Sequence, residues 1–314
     1  MFRQFRGQVE TKDFKERVPH QIKPALRWIH RRIRTALEYH AVQSLLVRNR
    51  ELLSRPRTSD RCFIIANGPS IKNQDLSLLR GETTIVMNSF FLHPDYERLQ
   101  PTYHVAVDPA TVTDTTSNLG WLRDLEGRSK KTALLFSVDG APLFKKHGIF
   151  LNRDVYYVLH SEQGCDSGKI LCDLTRPVPG IACVTLSCIL LALYLGCREI
   201  YLLGCDHDWL GTPTTVNHFY EDNPHYSASI AMYPYETLLE STLSLWRGYR
   251  RVREFAVHRG MKIYNATKGG FLDVFPRVEY ESLFSGRPGA AVPEARPVSV
   301  SVGSGPGPAG AGGR

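Results

Sequence analysis

The sequence predicts an α/β protein with a Rossmann-like, doubly wound and mostly parallel sheet. Short apolar runs typical of buried strands alternate along the chain with segments of helical character. Several of these runs are followed by a polar residue. This is typical of parallel strands whose carboxyl ends form a ligand site. The 314 residues, 42% of them hydrophobic, suffice to build the core of one large α/β domain or of two small ones.

Strand and helix boundaries follow from the periodicity of apolar residues. A helix over 181–195 contains small residues and should end at Gly196 in a C′ position. Residues 209–235 are predicted to form a loop or lid. The other predicted helices are residues 20–53 and 236–258, and the predicted strands are residues 61–66, 83–87, 103–107, 133–136, 155–158, 200–204 and 261–265.

Composition divides the chain into three parts. Residues 1–58 are predicted to form a basic, amphipathic helical extension, and residues 59–286 a Rossmann-like domain. Residues 287–314 are rich in Gly, Pro, Ala and Ser and should be disordered, because they cannot bury enough apolar surface to fold.

The extension contributes strongly to a net charge of +8. Within 20–53, Ile22, Leu26, Ile29, Ile33 and Leu37 recur at helical spacing, with arginines between them. Such a helix can lie on anionic lipid as a peripheral membrane contact, or it can pack on the domain. No nucleic acid partner is expected.

The cysteine pattern and the hydropathy predict a cytoplasmic protein, able to lie at the inner face of the cell membrane. The seven cysteines contain no CxxC pair and read as small buried hydrophobes. The amino terminus lacks the order of a signal peptide, and the apolar run 189–195 is much shorter than a membrane span.

Polar residues follow four of the predicted strands. They are Asn67, Asn88, Asp108 and Asp206. Because parallel strands deliver their carboxyl ends to one edge of a sheet, these side chains should share a ligand site.

The turn Asn67-Gly68-Pro69-Ser70 is the sharpest local feature. Gly68 permits a positive φ and close approach of a ligand. Pro69 fixes the turn, and Ser70 can act as the N-cap of a following helix, whose free N–H groups would face a phosphate. An ordinary βα turn is the alternative. The chain has no GxGxxG or GxxxxGK[ST] motif, so neither NAD nor P-loop chemistry is indicated.

Asp206-His207-Asp208 has the form of a DxD metal motif. No cofactor is expected, but Asp206 and Asp208 would hold Mg²⁺ or Mn²⁺ if the protein uses one. Asp206 can instead orient loop groups or contact the nucleotide. In the loop, His218 is the best candidate for a general base. Tyr220 is a candidate for a hydrogen bond to a leaving phosphate.

The run 63–71, which reads FIIANGPSI, resembles the "GNGPSL" opening of bacterial sialyltransferases of glycosyltransferase family 42. It also resembles the 6-hydroxymethylpterin diphosphokinase MptE-like domain found in flagellin-modifying Maf proteins. Asn88 stands where the sialyltransferases have "CNQF", and Asp108-Pro109 where they have "NP". The run 195–206 is similar to their "LGYKEIYLSGID", and the run 263–270 to the MptE-like ending "iyNat.gg".

The resemblance covers about residues 60–285 and implies a Rossmann-like glycosyltransferase that uses CMP-sialic acid or a similar CMP-sugar. It also implies catalysis without metal, tyrosines that steady the leaving phosphate, and a histidine base. The family's first tyrosine is Asp208 here, and its histidine falls at 233–236, which adds Tyr235 and Glu236 as catalytic candidates. The family's serine before the apolar helix falls near Gly180 or Thr185.

The leading hypothesis is therefore an inverting transferase that moves a sugar from a nucleotide donor to a bacterial surface glycan or protein. The donor-binding candidates are Asn67, Gly68, Pro69, Ser70, Asn88, Asp108, Gly180, Asp206, Asp208 and Tyr220. The alternatives are a Mg²⁺-dependent ATP diphosphokinase of the pterin type and a nucleotide-sugar-binding protein without catalysis.

Overall fold

The computed structural model describes residues 23–164, 170–180, 182–211, 218–220 and 234–285. The predicted disordered tail, 287–314, lies outside the described residues. The helices are α1 (Lys23–Val47), α2 (Tyr96–Leu99), α3 (Thr116–Arg128), α4 (Gly140–His147), α5 (Val184–Tyr194) and α6 (Tyr235–His258), with 3-10 helices at Arg48–Ser54, Pro69–Asn73, Leu76–Leu79, Asn88–Leu92, Pro109–Val112 and Glu281–Phe284. The strands are β1 (Arg61–Ile65), β2 (Thr83–Met87), β3 (Tyr103–Ala106), β4 (Ala133–Ser137), β5 (Val155–Val158), β6 (His160–Gly164), β7 (Val178–Gly180), β8 (Glu199–Leu203) and β9 (Lys262–Asn265).

In the described part of the chain, seven strands form a sheet of order β5-β4-β3-β2-β1-β8-β9. Every neighbouring pair in this sheet is parallel. The predicted α/β class and the mostly parallel, Rossmann-like sheet are thereby confirmed.

The sheet is buried on both faces, because successive side chains of each strand enter different cores. In β1, Cys62 and Ile64 belong to a cluster built with α5 and α6. Phe63 and Ile65 belong to a second cluster, built with α3, α4 and the 3-10 helices that follow β1 and β2. The strands therefore read as continuous apolar runs rather than as alternating ones.

The direction of winding reverses at β1. The chain proceeds outward from β1 to β5 with its connections on one face, then returns to place β8 on the other side of β1, with α5 and α6 on the opposite face. Ligands of such sheets bind where the order reverses, beyond the carboxyl ends of the strands. In this protein that point lies at the ends of β1 and β8, and the end of β2 is next to it.

Two features at the edge of the main sheet complete the fold. The extension forms α1 and the 3-10 helix Arg48–Ser54, and α1 contacts β5 and β6. β6 and β7 pair in a separate parallel sheet that the sequence does not predict, because neither strand contains a long apolar run. Among the described residues, no helix is both long and apolar enough to cross a bilayer.

Candidate functional site

The turns after β1 and β8 are locked together by Asp206. Its carboxylate accepts hydrogen bonds from the Ser70 hydroxyl (Oδ2 to Oγ, 2.9 Å) and from the Ser70 backbone N–H (Oδ1 to N, 3.3 Å). The Gly68 N–H donates to the Gly204 carbonyl at 2.9 Å. Burial raises the pKa of Asp206 above its ordinary value, although the bonds from Ser70 oppose that shift.

Position 68 requires glycine because there is no room for a Cβ atom. A Cβ at this position would lie 1.8 Å from Asp206 Oδ2 and 2.5 Å from the Gly204 carbonyl oxygen. The predicted positive φ is wrong, because Gly68 has φ −61° in extended backbone. The close approach is made by the Asp206 carboxylate of the protein itself.

The predicted capping role of Ser70 is also wrong. Gly68 is the N-cap of the 3-10 helix Pro69–Asn73, and Ser70 lies inside that helix. The N–H groups of the turn do not face outward, because Ser70 donates to Asp206 and Ile71 to the Gly68 carbonyl. The turn is therefore a braced βα connection rather than a phosphate cradle of free amides.

The DxD-like segment is bent by its central residue. His207 has φ 51°, and its Nε2 lies 2.7 Å from the hydroxyl of Tyr249 in α6. That hydroxyl also lies 3.3 Å from Cys183 Sγ at the N-terminus of α5. Burial lowers the pKa of His207 to about 4, so its imidazole is neutral at pH 7.

Asp206 is buried and Asp208 is half-buried. Across the described ranges, no group of three or more His, Cys, Asp and Glu side chains is arranged to hold a metal ion. The Asp206 carboxylate orients the turn after β1 through its two bonds from Ser70.

Asn67 and Asn88 form the most distinctive part of the site. Asn67 Nδ2 donates to the Met87 carbonyl at 3.2 Å, so the side chain of Asn67 reaches across to the end of β2. The Oδ1 atoms of Asn67 and Asn88 are both buried and have no hydrogen-bond partner in the portion of the chain that the structure describes. A buried amide oxygen without a partner costs free energy, so two at adjacent strand ends make this the place where an added hydrogen-bond donor would be most favourable.

His104 holds Asn88 in an unusual backbone conformation. Asn88 has φ 48°, and its carbonyl oxygen lies 2.7 Å from His104 Nε2. Because a carbonyl only accepts, Nε2 carries the proton and Nδ1 accepts from the Tyr96 hydroxyl at 3.1 Å. Burial lowers the pKa of His104 to about 4, which keeps the ring neutral. No motif marks this residue in the sequence, since it lies inside the apolar run of β3.

The loop segment 218–220 docks on the same turns. The Phe219 N–H donates to the Asn67 carbonyl at 2.8 Å, and the Phe219 ring packs edge-on against Phe90 and His93, which follow β2. His218 and Tyr220 stack with their ring centroids 4.9 Å apart. The structure thus brings His218 and Tyr220 to the strand ends that carry the two asparagines.

The other predicted site residues are placed less centrally. Asp108 follows β3 at the same edge, but it is exposed, and its Oδ1 accepts from the Ala110 N–H at 2.9 Å as a local cap. Gly180 ends β7, four residues before α5, whose Thr185 contacts Met87.

Tyr235 and Glu236 are exposed in the first turn of α6. At a rise of about 1.5 Å per residue, Tyr235 lies roughly 21 Å along the helix axis from Tyr249. None of the described contacts connects these two residues to the asparagines.

Comparison with known proteins identifies similar folds only at low identity. No protein-family model and no curated protein sequence matches the chain. It is similar to the crystal structure of α-2,3-sialyltransferase from Campylobacter jejuni in apo form, at 13% identity and TM-score 0.38, over 72% of this chain and 82% of that one.

Two further structures are similar. One is the sialyltransferase CST-II in complex with trisaccharide acceptor and CMP, at 12% identity and TM-score 0.36, over 65% of this chain and 80% of that one. The other is CstII from Campylobacter jejuni with cytidine-5′-monophosphate, at 15% identity and TM-score 0.32, over 70% and 85%.

Proposed function

We propose that this protein is a glycosyltransferase whose nucleotide-sugar donor binds at the carboxyl ends of β1 and β2. The observation that carries the proposal is the pair of buried amide oxygens, Asn67 Oδ1 and Asn88 Oδ1, which have no partner in the described residues. Ribose hydroxyls and the exocyclic amino group of a base are donors of the kind that such oxygens accept. Following the sequence resemblance, we propose CMP as the nucleotide and a sialic-acid-like sugar as the group transferred.

The docked segment 218–220 supplies groups suited to the transfer itself. A hydroxyl oxygen of the acceptor forms the new bond to the anomeric carbon as the bond from that carbon to the donor phosphate breaks. His218 accepts the proton of the acceptor hydroxyl, and the Tyr220 hydroxyl steadies the departing phosphate. A glycan or glycoprotein is the proposed acceptor, with inversion at the anomeric carbon.

A thermal-shift screen of the full chain tests the donor class. The ligands are CMP, CMP-sialic acid, UDP, GDP and ATP, each with and without Mg²⁺. A ligand at a hundred times its Kd adds about 2.7 kcal/mol to the free energy of unfolding, which gives a clear rise in Tm. We expect the rise with CMP compounds in the absence of Mg²⁺.

Other results of the screen would redirect the proposal. A rise only with ATP and Mg²⁺ would favour a diphosphokinase, and a rise with CMP-sialic acid but no hydrolysis or transfer would favour a binding protein. No rise with any nucleotide would contradict the site.

The asparagine assignment has its own test. Asn67→Ala should weaken CMP binding about tenfold, since it removes one hydrogen bond to the ligand. Asn152→Ala is the matched control. Asn152 is exposed in the loop that precedes β5, so it lies at the amino end of an outer strand and away from the proposed site. Equal affinity in the two variants, measured by calorimetry on folded protein, would refute the role of Asn67.

A further inference from the structure

The first half of α1 is an exposed helical arm. Leu26, Ile29, Ile33 and Leu37 have exposed fractions between 41% and 67%, whereas Leu46 near the end of the helix is fully buried. At roughly 3.6 residues per turn, the four exposed side chains fall within about 80° of arc on one face. We call this set the apolar stripe.

Basic residues line the apolar stripe. Residues 23–37 contain no Asp or Glu, and the first acidic residue of α1 is Glu38. Helical spacing places Arg32 on one flank of the stripe and Arg34 on the other. Arg32 lies over the ring of Trp28, with its guanidinium carbon 4.7 Å from the ring centroid, and Trp28 is 54% exposed. The arm carries five cations: Lys23, Arg27, Arg31, Arg32 and Arg34.

We infer that the arm docks the protein on an anionic lipid surface. Exposed leucine and isoleucine side chains on one face, with cations along the flanks, match the pattern of a helix that lies in the membrane interface. Arg34 is paired with Glu38 at 3.2 Å, and no carboxylate of residues 23–37 offsets the other cations of the arm. This excess of positive charge selects anionic lipid as the occupant, because phosphate and carboxylate headgroups attract it. The inference does not depend on the proposed transferase activity.

Co-sedimentation of the full chain with vesicles tests this inference. One vesicle set is pure phosphatidylcholine, and the other is phosphatidylcholine mixed with phosphatidylserine. We expect sedimentation with the mixed vesicles, and we expect it to weaken as salt is raised. Failure to sediment with the mixed vesicles at low salt would overturn the proposal.

Two double variants separate the apolar and the basic contributions. Ile33→Glu with Leu37→Glu should abolish binding to the mixed vesicles, while Leu151→Glu, a change at a residue 69% exposed in another loop, should leave it intact. Arg31→Gln with Arg32→Gln should weaken binding about tenfold or more. Its control is Arg123→Gln with Arg128→Gln, two exposed arginines of α3, and this control should bind as the unmodified chain does.

All these positions are exposed, so circular dichroism and Tm should match those of the unmodified protein. Unchanged vesicle binding in the arm variants would overturn the proposal. Sedimentation velocity provides a further measurement, of the oligomeric state. A dimer of the unmodified chain that Ile33→Glu with Leu37→Glu converts to monomer would assign the stripe to contact between copies, and would likewise overturn it.

Discussion

Two neighbouring turns at the same edge of the sheet are built on opposite principles. At the ends of β1 and β8, the polar groups of Gly68, Ser70 and Asp206 satisfy one another. At the ends of β1 and β2, Asn67 and Asn88 each leave a buried amide oxygen without a partner in the described residues. The first turn is complete as a piece of protein, whereas the second requires hydrogen-bond donors from elsewhere.

We propose that this difference separates the strand-end residues that recognise a ligand from those that support the site. On this proposal Asp206, whose carboxylate accepts two hydrogen bonds from Ser70, belongs to the scaffold. An unpaired amide oxygen held by a rigid backbone is the better mark of a binding group.

Gly68→Ala should have the largest effect. The added Cβ would overlap Asp206 Oδ2 and the Gly204 carbonyl, so the two turns must separate. We expect a loss of about 3 kcal/mol or more in the free energy of unfolding, measured by urea denaturation. Gly127→Ala is the control, because Gly127 is exposed in α3 with open space at its Cβ position, and it should raise stability slightly. Similar stability of Gly68→Ala and the unmodified chain would disprove the bracing role.

His104, which is buried next to the turn after β2, should make the free energy of unfolding depend on pH. The folded-state pKa of His104 is lowered to about 4, so the unfolded chain binds the proton more strongly. Its contribution to stability is present above the ordinary histidine pKa and is lost as the pH falls toward 4. Between pH 7 and pH 5, His104 should account for about 2 kcal/mol of lost stability.

His104→Gln measures that contribution as a smaller fall in the free energy of unfolding over the same pH interval. His104 is enclosed by the Tyr96 hydroxyl, the Asn88 carbonyl and the Phe91 ring. An unchanged fall in His104→Gln would show that its imidazole is not buried in the neutral form.

Asn88→Gly and Asp206→Asn form the direct test of the comparison. Glycine accepts the left-handed backbone of residue 88, so Asn88→Gly should change stability by no more than about 1 kcal/mol but weaken CMP binding about tenfold. Asp206→Asn should cost about 1–2 kcal/mol of stability through its lost bonds to Ser70, with affinity reduced at most about threefold.

Calorimetric titration and urea denaturation of both variants provide the two readouts. If Asp206→Asn kept its stability and lost as much affinity as Asn88→Gly, the carboxylate would be a ligand-binding group and the proposed division would fail.

The smallest expected effect is that of chelation. Because Asp206 is engaged with Ser70, we propose that donor binding needs no Mg²⁺ or Mn²⁺. Treatment with EDTA should leave CMP affinity and Tm unchanged within error. A loss of affinity that added Mg²⁺ restores would assign a metal to Asp206 and Asp208 after all.

The parallel sheet and its carboxyl edge can be predicted from the local sequence alone. Apolar runs long enough to be buried on both faces specify parallel strands, and the polar residues after them mark the carboxyl ends. Gly196 also ends α5 as predicted, with φ 77° and the bonds Gly196 N to Leu193 O and Cys197 N to Ala192 O. Such features depend on neighbours in the chain, so the local sequence records them.

The contacts that each strand-end residue makes depend instead on segments that are distant in the chain. Asp206 contacts Ser70, which lies 136 residues earlier in the chain, and His104 contacts Asn88, which lies 16 residues earlier. No local sequence pattern predicts either contact. The requirement at Gly68 arises from a side chain in the turn after another strand, so a conformational explanation drawn from its own turn was wrong. Which amide oxygens remain unpaired depends on every donor in the folded neighbourhood, and therefore became visible only once the strands were assembled.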